Sequence, residues 1–107
     1  MTDFSLNDLQ DIIATKAGDD PKTSWTAKLV SAGPPVIAKK LGEEATETII
    51  AALSGNQSAF VAESADLIYH WLVLAHAKGV TLQDVLLELE KRTAQSGLAE
   101  KASRRAQ

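Results

Sequence analysis

At 107 residues the chain has room for one domain spanning residues 1–107, and an apolar content of 45% excludes extended disorder over most of it. The absence of cysteine removes disulfides, thiolate chemistry and cysteine zinc sites together, which suits a reducing cytoplasm. A net charge of −3 argues against nucleic acid as the main partner. The longest strongly apolar run, residues 71–77, is far short of the ~20 residues that cross a bilayer. Residues 1–11 carry acids and no basic-then-apolar leader, so no secretory signal is expected.

Five segments show helical periodicity, and none alternates as a strand. In residues 5–17, Leu6, Leu9, Ile12 and Ile13 recur at helical spacing, with Ser5 placed to cap the start and Gly18 to end it. Gly18-Asp19-Asp20-Pro21 reads as a loop. A short helix follows over residues 24–32, with Trp25 and Leu29 four apart. Gly33, Pro34 and Pro35 open the third helix, because proline fits a first turn. It reaches residue 53, with Ile37, Leu41, Ala45, Thr48, Ile49, Ala52 and Leu53 as its apolar stripe.

Ser54, Gly55 and Asn56 break the chain before a fourth helix over residues 57–78. Gly79 ends it, and Thr81 caps a fifth that reaches residue 94 through Val85, Leu86 and Leu89. The fourth helix is apolar around most of its circumference, from Ala65, Leu67 and Ile68 to Trp71, Leu72, Val73 and Leu74. Such a helix is expected to be buried nearly all round, and in so small a chain a second copy is the expected cover.

The third and fourth helices also carry the chemistry. Glu44 and Glu47 are three apart and share a face, and Glu63 and Asp66 repeat the spacing on the next helix. A short break makes the two helices antiparallel neighbours. Counting outward from Gly55, positions 47 and 63 are equally distant, as are 44 and 66, so Glu47 is expected to face Glu63 and Glu44 to face Asp66. Carboxylates ~5 Å apart at an effective dielectric of ~20 repel by ~3 kcal/mol per pair. Protonation, solvation or a bound cation relieves this. Magnesium takes oxygen ligands and keeps positions open for water and phosphate, so a polyphosphate substrate bridged by the ion fits the array.

Any one pair alone would read as a solvated helix face. Both pairs, however, sit inside apolar helices, with Phe60-Val61-Ala62 before Glu63 and Leu67-Ile68-Tyr69 after Asp66. A ferritin-like di-iron site would need a Glu followed three residues later by His on each of two helices, and neither is present. His70 lies four after Asp66 and reads as a core or supporting residue.

The array Glu44-x-x-Glu47 with Glu63-x-x-Asp66 resembles the signature of the all-α nucleotide pyrophosphohydrolases, the MazG-like superfamily that includes the dimeric dUTPases. Ser24-Trp25-Thr26, Lys39-Lys40-Leu41-Gly42-Glu43-Glu44-Ala45, Glu63-Ser64-Ala65-Asp66-Leu67-Ile68-Tyr69-His70, and Arg92 with Ser96-Gly97 are similar to the corresponding blocks of phosphoribosyl-ATP pyrophosphohydrolases. The likeness runs in order from about Leu6 to Arg104, with Trp25 standing where that family more often has tyrosine.

The resemblance implies an all-α, MazG-like bundle of about five helices, with the acidic site on its central antiparallel hairpin. It implies magnesium-assisted hydrolysis of phosphoribosyl-ATP to phosphoribosyl-AMP and pyrophosphate, the second step of L-histidine biosynthesis, by a cytoplasmic homodimer. Glu44, Glu47, Glu63 and Asp66 would be the magnesium ligands, and Glu43 a further catalytic acid beside the metal, ordering the attacking water. Lys40 would contact substrate phosphate, and Arg92, Ser96 and Lys101 the phosphate or ribose. The phosphoribosyl-AMP cyclohydrolase that acts next is fused to this domain in many organisms and is expected here as a separate chain.

Lys91, Arg92, Lys101, Arg104 and Arg105 place five of the eleven basic residues in the last seventeen positions. Residues 95–107 therefore read as a basic tail, a solvated helix end or an attractor of polyphosphate. Two other functions compete. A house-cleaning pyrophosphohydrolase of the MazG type would use the same acids on ordinary or damaged nucleoside triphosphates. A non-catalytic helical module would use the apolar fourth helix to bind a partner, leaving the matched acidic registers without a purpose.

Overall fold

The computed structural model describes residues 2–94, 101 and 104. Among them the chain forms five helices and no strand: α1 (Leu6–Ala17), α2 (Trp25–Ala32), α3 (Pro34–Leu53), α4 (Gln57–Ala77) and α5 (Leu82–Thr93). Lys101 and Arg104 are helical and exposed, whereas Ser96, Arg105 and most of the basic tail lie outside the described residues.

The helix starts follow from local side-chain chemistry. Ser5 and Asp8 close a reciprocal capping box on α1, with the Asp8 amide 3.1 Å from Ser5 Oγ and the Ser5 amide 3.0 Å from Asp8 Oδ2. Thr81 and Asp84 repeat the device on α5. The Ser24 hydroxyl accepts from the Ala27 amide to start α2, and Asn56 Oδ1 accepts from Ala59 to start α4. Gly55, with φ of 81°, makes the tight α3–α4 turn in a conformation that costs other residues strain.

Each helix gives the core at least one buried side chain: Ile13, Leu29, Ile37, Leu72 with Val73, and Leu82. Ile37 and Val73, both fully buried, are equally far from Gly55, so the core sits where the open end of the hairpin meets α1, α2 and α5. Gln10 Oε1 accepts from the Leu82 amide at 2.7 Å and ties the start of α5 to α1.

The α3–α4 pairing is the most extensive in the fold. Toward its turn the hairpin runs out beyond the other helices, and Ile49, Ile50, Leu53, Phe60 and Val61 are all exposed, Leu53 by 85%. The expected stripe on α3 therefore holds only in its first half, where Ile37 is buried and Leu41 and Ala45 are half-buried. The same limit applies to α4, whose second half is buried while Phe60, Val61 and Ile68 stay open in the single chain. On α5, Leu86 and Leu89 are exposed, with Val85 half-buried. The acids lie between the packed end of the hairpin and its turn at Gly55.

Candidate metal centre

Glu44, Glu63 and Asp66 each offer a carboxylate oxygen within 4.8 Å of the others, two helices thus converging on one point. Glu47 stands outside this group of three. Its carboxyl nonetheless comes within hydrogen-bonding reach of Glu63 when one of the two carries a proton. All four acids therefore meet around Glu63.

Glu44 is the buried member, with 4% exposure. One of its oxygens, Oε1, lies 3.1 Å from Lys40 Nζ, one turn earlier on α3. The other, Oε2, is buried with no hydrogen-bond partner, and Glu63 Oε2 shares that condition. An acceptor left buried and unmet costs free energy, more so when charged. Two such oxygens on facing helices are what a cation with oxygen ligands would satisfy.

The electrostatics agree with that reading. Burial pushes the Glu63 carboxyl above its ordinary 4.5, and contact with Glu47 and the charges of Glu44 and Asp66 push it further. Lys40 moves upward from 10.5, chiefly through its hydrogen bond to Glu44 and against a smaller opposing effect of burial, with Glu43 and Glu47 adding attraction. The ammonium offsets part of the negative charge of the acids.

Two supporting contacts fix the frame. The Thr48 hydroxyl lies 2.7 Å from the Glu44 carbonyl oxygen and 3.0 Å from that of Glu63, joining α3 to α4 at the level of the acids. Behind Asp66, the Trp25 indole N–H donates to His70 Nε2 at 3.1 Å, and His70 Nδ1 lies 2.7 Å from the Asp66 carbonyl oxygen. Indole nitrogen only donates, so Nε2 must accept, and Nδ1 holds the ring's proton and donates it to that carbonyl. Both nitrogens are thereby engaged, and His70 serves as a buried brace. The neighbouring Thr26 and Tyr69 hydroxyls are also hydrogen-bonded, so the start of α2 is pinned twice to α4.

The remaining sequence candidates are placed as follows. Glu43 is half exposed and lies outside the acid group, pairing with Lys40 at 4.0 Å. Arg92 pairs with Glu88 on its own helix at 3.4 Å and with none of the four acids. Lys101 is exposed, and Ser96 falls outside the described residues. Thr48 and the Trp25–His70 bond were not assigned to the site by the sequence. The first was hidden by its place in an apolar stripe, the second by the 45 positions that separate its partners in the chain.

Comparison with known proteins gives the family. Residues 6–93 match the family described as Phosphoribosyl-ATP pyrophosphohydrolase. A phosphoribosyl-ATP pyrophosphatase of Rhizobium meliloti is 58% identical over 97% of both chains, and one of Sinorhizobium medicae 56% over 97% of both. A third, from Methylobacterium radiotolerans, is 56% identical over 98% of both. The chain, a hydrolase by its relatives, belongs to the phosphoribosyl-ATP pyrophosphohydrolase family.

Proposed function

We propose that the four hairpin carboxylates hold magnesium for the hydrolysis of phosphoribosyl-ATP to phosphoribosyl-AMP and pyrophosphate, the second step of L-histidine biosynthesis. The observation that carries the reading is the pair of buried oxygens without partners, Glu44 Oε2 and Glu63 Oε2, inside a group of acids that share one point. Family membership supplies the substrate.

Glu44, Glu63 and Asp66 would hold the ion from two helices, with Glu47 joining through the side of Glu63. When bound, magnesium polarises the phosphoric anhydride and makes a nearby water a better nucleophile. Water adds to phosphorus, the bond between the first and second phosphates of the triphosphate breaks, and pyrophosphate leaves. Lys40, beside Glu44, would supply positive charge for substrate phosphate, and half-exposed Glu43 would order the entering water. Arg92, Ser96 and Lys101 complete the proposal as contacts to phosphate or ribose.

A homodimer belongs to the same reading. The exposed Phe60, Val61 and Ile68 on α4 are the apolar surface a second copy would cover. Ile68 also lines an open groove of about 490 Å³ with Leu41, Leu67, Trp71 and Val85. No helix among the described residues is long and apolar enough to cross a membrane, and a cytoplasmic enzyme fits the pathway.

The test is pyrophosphate release from phosphoribosyl-ATP, ATP and dCTP at one magnesium concentration. Release from phosphoribosyl-ATP with little from the other two supports the assignment. Equal or faster release from the simple triphosphates would overturn it in favour of a house-cleaning enzyme.

A further inference from the structure

Thr48 stands at the level of the acids, where α3 faces α4. Its hydroxyl has a single proton, yet it lies within hydrogen-bond distance of two main-chain carbonyls, those of Glu44 and Glu63. These are the same two residues whose Oε2 atoms are buried without a partner. Inside a helix each carbonyl already accepts from the amide four residues on, and the hydroxyl takes up a second lone pair. The contact is therefore not needed to satisfy either carbonyl. Its effect is geometric: it holds α3 against α4 where like charges push them apart.

We propose that Thr48 is a positioning residue of the metal site, setting how α3 presents Glu44 and Glu47 to Glu63 and Asp66. The inference rests on the reading that these acids hold magnesium. Thr46 is an internal control. Its hydroxyl makes the same bond back along the helix, 3.1 Å to the Gly42 carbonyl oxygen, but it is exposed and reaches no other helix. Thr46→Val removes a bond within the helix, whereas Thr48→Val removes that and the cross-helix tie as well.

The experiment is calorimetric titration of the full chain with magnesium, for the wild type, Thr48→Val, Thr48→Ser and Thr46→Val, with Tm measured in EDTA. Removing a group that supports metal ligands weakens affinity by about tenfold or more. Thr48→Val is expected to lose about that much, while Thr48→Ser, which keeps the hydroxyl, and Thr46→Val stay near the wild type. A lower Tm with unchanged magnesium affinity in Thr48→Val would show a merely structural role and overturn the inference. Equal loss in Thr48→Ser would also overturn it, since the methyl would then be responsible. Should Thr48→Val not fold, Thr48→Ser and Thr48→Ala differ only in the oxygen and carry the same comparison. Failure of the wild type to bind magnesium would sink the metal reading and this inference together; tight binding by every variant would sink this inference alone.

Discussion

Lys40 Nζ lies 3.1 Å from Glu44 Oε1, while the other oxygen of the same carboxylate is buried without a partner. One carboxylate thus faces a fixed cation on one side and keeps a buried, unpartnered oxygen on the other. Lys40→Met should remove the fixed cation and lower the Tm of the metal-free protein, because Glu44 would keep its buried charge with no partner. Saturating magnesium should narrow the gap from the wild type. Thermal melts in EDTA and in magnesium check this, and an equal deficit in both would show that the lysine acts independently of the metal position.

Substitutions within the acid cluster should separate function from stability. Glu63→Gln and Asp66→Asn are each expected to lower turnover on the order of a hundredfold or more, with helical circular dichroism unchanged. Glu63→Gln should also raise the Tm in EDTA, since it removes the carboxylate that the other three crowd. Glu44→Gln should abolish turnover but gain less stability, because Lys40 loses its partner. Wild-type turnover in any of these variants would remove its residue from the site.

The pH dependence of the metal-free protein follows from Glu63. Its carboxyl titrates above 4.5 when folded, so between that value and the raised one the native state holds more protons than the unfolded chain. Stability contributed by this group is present at the acid side of that window and is lost as pH rises through the folded pKa. Compared with Glu63→Gln, the wild type in EDTA should gain Tm as pH is lowered from neutral toward 4.5. Magnesium should cancel the gain by competing with the proton. Parallel profiles for the two proteins would contradict the argument.

Trp25 braces the site from behind. Trp25→Phe removes the indole N–H and leaves His70 Nε2 buried without a donor, at a cost of about 1–3 kcal/mol. Chemical denaturation should show that loss at an unchanged m-value. Nitrogen-15 spectra of the wild type should show His70 protonated at Nδ1, with Nε2 as the acceptor. The opposite tautomer would break the proposed chain from Trp25 to the Asp66 carbonyl.

Much of this was legible in the sequence because it depends on local chemistry. Ser5, Ser24 and Thr81 cap helices through contacts three residues away, and Gly55 fixes a turn whose symmetry sets the levels of the acids. What stayed hidden depends on how far other helices reach. Ile49 and Leu53 follow the period of a buried stripe, but α1, α2 and α5 pack on the other end of the hairpin and leave them open. Thr48 counted as filler in that stripe, although its hydroxyl is what crosses between the helices. Lys40 and Glu44 are four apart, a spacing that predicts pairing on a helix, yet only the fold shows that the pair caps a buried acid.

The most direct test of the account is pyrophosphate release from phosphoribosyl-ATP by the wild type as magnesium is titrated from zero in chelator-treated buffer. The account predicts no release without the ion and saturating release with it, and a Glu63→Gln protein that stays silent throughout. Full release in the absence of magnesium, or a Glu63→Gln protein that follows the wild-type curve, would contradict it.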